Sequence, residues 1–302
     1  SGWLGPRTAL RPTRGSSRPC SRASSPAAGP SRIDSHTRPL KEHPERERVL
    51  WATFAKRPFE AGIAMAEQFA RQRGIRFEVL VEVDVGGNRC GAQSPAETAH
   101  FVQKVLESSA LRFGGLQAYN GGDNYHRDLA ERARYCQLTN EKTLAAVEKV
   151  QELCPLPRVS GAGTGSAALM AELGTLTEIQ SGTYVYSDTT YRQLAPQYLP
   201  ALFLLSAVLS HPLPRRIIMD GGLKSLGTEF SKPEVVGYPN LEFQAYSEEH
   251  IQWQVSETGP LPAIGEKVRI IPSHVCTTVN HHRVCYLVEG DTVLDTWAID
   301  GF

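Results

Sequence analysis

The chain has 302 residues, and 32 Lys+Arg balance 32 Asp+Glu, so its formal net charge is zero. That balance argues against a general nucleic-acid or membrane-surface binder, which needs a net basic face. Hydrophobic residues at 41% and charged residues at 21% fit a globular chain rather than a disordered one, and the sequence lacks the run of about 18 apolar residues that a membrane helix needs.

Residues 1 to 32 hold six Arg, seven Ser, five Pro and no acid. Such a stretch buries too little apolar surface to offset chain entropy, so residues 1–48 are expected to be a tail and linker. The same composition also fits an organelle transit segment, giving a cytoplasmic or organellar, non-secreted expectation. From residue 49 the pattern becomes regular. Helical spacing runs over 59–72, where Ile63, Ala66, Phe69 and Ala70 form a stripe. A strand over 77–85 ends in Gly86-Gly87. Ser94-Pro95-Ala96-Glu97 has the form of a capping box with proline at the first helical position, opening a helix with Phe101, Val102, Val105 and Leu106. RFGGLQAY is a strand, 129–153 a helix, and PRVSGAGTG a short strand running into glycines. LTEIQSGTYVY, LFLLSAVLS and RRIIMDGG read as three further strands. Strands alternating with helices predict a parallel α/β sheet or barrel over 49–236. Beyond it, LEFQAY, EHIQWQVS, KVRIIPSHVCTTV, RVCYLVEGD and TVLDTWAI are strands without helices between them. They predict an antiparallel β domain over 237–302, with Glu289-Gly290-Asp291 at a hairpin tip.

Six scattered cysteines with no CxxC make a reducing compartment the default. Four places could carry chemistry. Ser160-Gly161-Ala162-Gly163-Thr164-Gly165-Ser166 follows a strand, and its N–H groups and hydroxyls could cradle a phosphate, or form a plain glycine turn. Arg89 follows the end of a parallel strand, where α/β folds place ligands, although a surface arginine has the same spacing. His274 and Cys276 would share one face of a strand and could grip one ion together. Imidazole with thiolate suits zinc, and two ligands leave positions open for water or substrate. The rival readings are a four-ligand structural site with His281, His282 and Cys285, or a buried Cys beside a capped His. Lys224, after a strand and two glycines, could form a Schiff base or be a solvated loop residue.

Together, VEVDVGGNRCG, GLQAYNG, VSGAGTG, TEIQSGTYVYSD, DGGLKSL and PSHVCTTVN resemble the D-threonine aldolase and D-serine dehydratase family of pyridoxal-phosphate enzymes, in family order over roughly residues 75–302. The resemblance implies a TIM-type, alanine-racemase-like barrel followed by a β domain, in a homodimer acting on a small D-amino acid. It places Arg89 beside the phenolic oxygen of pyridoxal 5'-phosphate. Gly163, Thr164 and Gly165 fall at its phosphate, Tyr119 and Tyr184 along its pocket, and His274 and Cys276 on zinc or another divalent metal. His-x-Cys is similar to the zinc D-serine dehydratases, so dehydration of D-serine to pyruvate and ammonia is the favoured expectation. Retro-aldol cleavage of D-threonine is the alternative, since the flanking VGGNRCG and TTVN resemble the aldolases.

The family's Schiff-base lysine lies in a stretch like Arg-Pro-His-x-Lys-Thr-His, which this chain does not contain. Arg38-Pro39-Leu40-Lys41-Glu42-His43 is a faint echo, one residue short. No catalytic residue is therefore assigned from sequence. A full barrel takes about 250 residues, and only 49–236 are available. With no initiator Met, the expectation is a barrel short of its first two or three β/α units, and a non-catalytic fragment is a further alternative.

Overall fold

The computed structural model describes residues 48–50, 59–256 and 258–300. The expected tail and the echo around Lys41 lie outside the described residues. The first half of the fold is a parallel sheet with helices in the crossovers. In chain order it holds β1 (Arg48–Leu50), α1 (Phe59–Arg73), β2 (Phe77–Glu82), α2 (Pro95–Glu107), β3 (Leu111–Ala118), α3 (Leu129–Gln151), β4 (Val159–Gly161), α4 (Ala167–Leu173) and β5 (Glu178–Ile179). The strands pair parallel in the order β1-β2-β3-β4-β5. Every residue of β2 is buried, as expected for a strand covered on both faces.

The N-cap at Ser94 forms as expected, while Glu97 reaches back one residue further than a capping box requires, to Gln93. Ser94 Oγ accepts from Glu97 N at 3.1 Å, Pro95 opens the helix, and Glu97 Oε2 accepts from Gln93 N at 2.6 Å. Phe101, Val102 and Val105 then face inward with Val79, Val81 and Leu116. Each such side chain contributes on the order of 1.5–3 kcal/mol of burial.

A short helix α5 (Tyr191–Leu194) leads to the second half. Here β6 (Leu204–Leu213), β7 (Arg216–Asp220), β8 (Glu234–Val235), β9 (Leu241–Tyr246), β10 (His250–Val255) and β11 (Lys267–Ile271) form an antiparallel sheet of order β8-β11-β6-β7-β10-β9. Trp253, Ile251, Met219 and Ile270 form its core. A six-residue helix α6 (Val275–Asn280) and a hairpin of β12 (Val284–Glu289) and β13 (Thr292–Ala298) follow. Gly290 turns that hairpin with φ +58°.

Three local expectations change. LFLLSAVLS and RRIIMDGG, expected in the barrel, are β6 and β7 of the antiparallel sheet. They are joined by a tight turn, and parallel neighbours would need a crossover of a dozen residues or more. The change of architecture thus falls between α5 and β6, ahead of residue 237. LTEIQSGTYVY contributes only the two residues of β5, and Thr183–Val185 is a single 3-10 turn. PSHVCTTVN is a turn into α6, not a strand, because Pro272 offers no N–H to continue the ladder of β11.

Candidate cofactor and metal site

The residues expected to line a site stand just past the C-terminal ends of the parallel strands. Arg89 follows β2, Tyr119 follows β3, Gly163–Gly165 follow β4, and Tyr184 follows β5. Ligands bind at this edge of parallel α/β folds.

The loop carrying Arg89 is built around Asp84, whose Oδ1 accepts from Gly86 N and Asn88 N, both at 3.0 Å. Gln93 Nε2 donates to Asp84 Oδ2 at 3.2 Å. Gly91 has φ +103°, and a Cβ there would lie 2.7 Å from the backbone of Asp84, so the loop can close only with glycine. Arg89 Nη2 reaches down to Glu82 Oε1 at 3.3 Å, and its guanidinium carbon lies 5.6 Å from the centre of the Tyr119 ring. Burial pushes the Tyr119 phenol up, while the charge of Arg89 pulls it back.

After β4 the chain passes Ala162, at φ +56°, into the Gly-Thr-Gly stretch. Gly165 N, Ser166 N and Ser166 Oγ donate to one atom, Asn124 Oδ1, at 3.0 to 3.1 Å. Gly163 N donates to Ser166 Oγ at 3.1 Å. A Cβ on Gly163 would meet Asn124 Oδ1 at 2.6 Å, and one on Gly165 would meet Asn124 O at 2.5 Å. The two glycines therefore let the turn carrying Asn124 pack against the loop. Tyr184 N donates to Thr164 Oγ1 at 3.2 Å, which ties the segment after β5 to the loop.

His274 and Cys276 come together through α6. His274 is the extended residue before the helix, and Cys276 stands in its first turn. The neighbouring His274, with added help from Thr183, holds the thiol of the exposed Cys276 below its ordinary range. For His274, burial pulls the ring down, but Cys276 and then Glu229 more than offset it. Glu229 Oε2 lies 3.4 Å from His274 Nδ1 and accepts from Thr277 Oγ1 at 2.7 Å. Asp188 fixes α6 to the parallel half, since its Oδ2 accepts from Val275 N at 3.2 Å and its Oδ1 from Tyr191 N at 2.9 Å. The Phe230 ring lies 4.6 Å from that of Tyr125 and 4.9 Å from that of His274, which links the pair to the segment after β3.

Imidazole with a low-lying thiol is the donor chemistry of a soft divalent ion such as zinc. Among the described residues no cluster of three or more His, Cys, Asp or Glu could hold a metal. His282 is committed to Ser225 O at 2.9 Å. The four-ligand alternative is thus not assembled, and the two-ligand arrangement with open positions fits. Lys224 does not suit a Schiff base, because it is exposed and bonded to Glu249 at 2.7 Å, which raises its pKa when such a lysine needs a lowered one.

Residues 60–190 match the alanine racemase N-terminal domain, and residues 201–288 match the putative serine dehydratase domain. The chain is 34% identical over 244 residues to a D-threonine aldolase of Arthrobacter, covering 78% of this chain and 64% of the relative. A D-threonine aldolase structure from Filomicrobium marinum superposes with a TM-score of 0.78 at 28% identity, covering 83% of this chain and 69% of that one. D-threo-3-hydroxyaspartate dehydratase from Delftia shares the fold, with a TM-score of 0.69 at 22% identity, covering 83% and 71%. The fold is therefore alanine-racemase-like, and the chain is similar in sequence to a D-threonine aldolase, in keeping with the resemblance its motifs carry. It spans less than two thirds of the length of the Arthrobacter aldolase.

Sequence reading missed Asn124, Thr183, Asp188 and Glu229. Asn124 and Asp188 follow glycine-rich or polar turns with no spacing rule attached. Glu229 precedes Phe230, whose φ of +68° only a structure reveals.

Proposed function

We propose that this chain forms the greater part of a lyase on D-β-hydroxy amino acids that uses pyridoxal 5'-phosphate and a divalent metal. The observation that carries the reading is the gathering of Arg89, Tyr119, Thr164 and Tyr184 at the parallel strand ends, with α6 and its His274–Cys276 pair tied to the same half by Asp188. When bound, the pyridoxal ring supplies an electron sink for charge at the substrate Cα, and the metal supplies Lewis acidity toward its β-hydroxyl. Arg89 offers guanidinium donors to the phenolic oxygen, and Thr164 its hydroxyl to the phosphate. Gly163 and Gly165 shape that loop, while Tyr119 and Tyr184 flank the ring. His274 and Cys276 hold the metal, with Glu229 orienting the imidazole as an outer partner. The lysine that would link the cofactor is not assigned among the described residues.

Within this class, retro-aldol cleavage is supported by the 34% identity to a D-threonine aldolase. The second reading, D-serine dehydration, rests on the His-x-Cys pair. A homodimer is the proposed assembly, since the β12–β13 hairpin exposes Tyr286, Val288, Leu294 and Trp297. The test is to add pyridoxal phosphate to the purified protein and seek an absorbance band that borohydride fixes onto a lysine. Glycine from D-threonine and pyruvate from D-serine are then measured with and without chelator. A protein that gains no lysine adduct is not an active lyase of this class, and turnover that ignores chelator removes the metal assignment.

A further inference from the structure

Glu82 is the last residue of β2 and is 2% exposed. Its Oε1 accepts from Arg89 Nη2 at 3.3 Å, whereas its buried Oε2 meets no donor. A carboxylate in such a place costs free energy, because it gives up water on two oxygens and regains one hydrogen bond. An apolar side chain of the same volume would fill the site without that cost. The backbone around it leaves no slack. Ala92 N donates to Glu82 O at 2.8 Å and Asp84 N to Ala92 O at 2.9 Å, so the loop from 84 to 92 is pinned at its base. Arg89 stands at the top of that loop with its side chain 58% exposed, and Glu82 is the acidic group its guanidinium meets. From there the guanidinium lies over the Tyr119 ring.

We infer that Glu82 is a positioning residue, whose buried carboxylate holds the Arg89 guanidinium over Tyr119 so that its remaining donors face the phenolic oxygen of the cofactor. An arginine without this anchor is a flexible, solvated side chain that must be ordered when the cofactor arrives. The inference rests on the cofactor reading above. It also makes a prediction of unusual sign. Pyridoxal phosphate is anionic, so if Glu82 acted only through its charge, neutralising it would tighten binding. If it acts by holding Arg89, neutralising it weakens binding.

The test is a double-mutant cycle on the equilibrium affinity of the full chain for pyridoxal phosphate, followed by quenching of protein fluorescence, with no turnover required. E82Q keeps the shape of the side chain and is expected to weaken binding about tenfold, the size of one charge-assisted hydrogen bond. In an R89A background the same E82Q change is expected to have less than about a twofold effect. E82D, which keeps the charge on a shorter stem, is expected to fall between wild type and E82Q. Thermal melting of each variant separates misfolding from lost affinity. Tighter binding by E82Q, an unchanged affinity, or the same loss with and without Arg89 would each overturn the role of Glu82 alone. A wild-type chain that binds no pyridoxal phosphate would overturn the cofactor reading and this role with it.

Discussion

Asp188 joins the two halves of the molecule, and its removal is the sharpest test of how the site is assembled. Its side chain is fully buried and accepts two backbone N–H groups, Tyr191 N at the start of α5 and Val275 N at the start of α6. D188A leaves both donors buried without a partner, at about 1–3 kcal/mol each. Loss of a buried charge returns part of that, so the net cost is expected to be about 3 kcal/mol. D188N keeps one acceptor oxygen and should cost about half as much. Urea unfolding at neutral pH measures both through the midpoint, provided the slope is unchanged. Burial pushes the Asp188 carboxyl up, against the hydrogen bonds that pull it down. A raised folded-state pKa favours the protonated native form. Stability from this group is therefore present at low pH and lost as pH rises through the folded value. The advantage of wild type over D188N should accordingly grow as pH falls from neutral toward the ordinary carboxylate range. A D188A protein within about 0.5 kcal/mol of wild type, the range of ordinary surface substitutions, or a gap that shrinks on acidification, would refute this account of the junction.

Two further substitutions probe the packing beneath the site. Cys136 is fully buried on α3, and burial pushes its thiol up to about 11. Its stabilising contribution is present below the ordinary thiol pKa and lost as pH rises through about 11, so wild type should lose at most about 3 kcal/mol relative to C136A between pH 8 and pH 11. Unfolding midpoints across that range measure it, and parallel curves for the two proteins would contradict it. G163A places a methyl group 2.6 Å from Asn124 Oδ1 and is expected to cost about 1–3 kcal/mol. N124A should remove much of that cost, so the double variant in a melting experiment is expected to be less than additive.

Much of the parallel half was legible because its signals are local. The N-cap at Ser94 fixed the start of α2, and glycines after β2 and β4 marked the strand ends where ligand-facing residues stand. The approach of His274 to Cys276 was also legible, but for a different reason from the one the sequence suggested. Valine and threonine around them read as a strand, whereas Pro272 ends the ladder and Thr278 Oγ1 donates to His274 O at 2.6 Å within a helical turn. In a strand the two side chains share a face by alternation. Here they share a site because one precedes the helix and the other lies in its first turn. What no local pattern carried was the assignment of β6 and β7. Their apolar runs are alike in either sheet, and only the two-residue connection between them distinguishes a hairpin from a crossover.

The geometry also separates two kinds of contribution to the site. Arg89, Tyr119, Thr164 and Tyr184 belong to the strand ends of the parallel half. His274 and Cys276 belong to α6, which is held to the first half by Asp188 and by contacts such as Thr189 N to Pro272 O at 3.1 Å and Thr190 Oγ1 to Ser273 O at 3.0 Å. The proposed cofactor residues thus sit on the parallel half itself, whereas the proposed metal ligands reach it through the junction. Loosening the junction should disturb the metal pair before it disturbs the phosphate loop. D188N is thus expected to weaken zinc binding, read by competition with a chromophoric chelator, more than it weakens pyridoxal phosphate binding. Equal losses of both would mean that the two halves form one site with no such division.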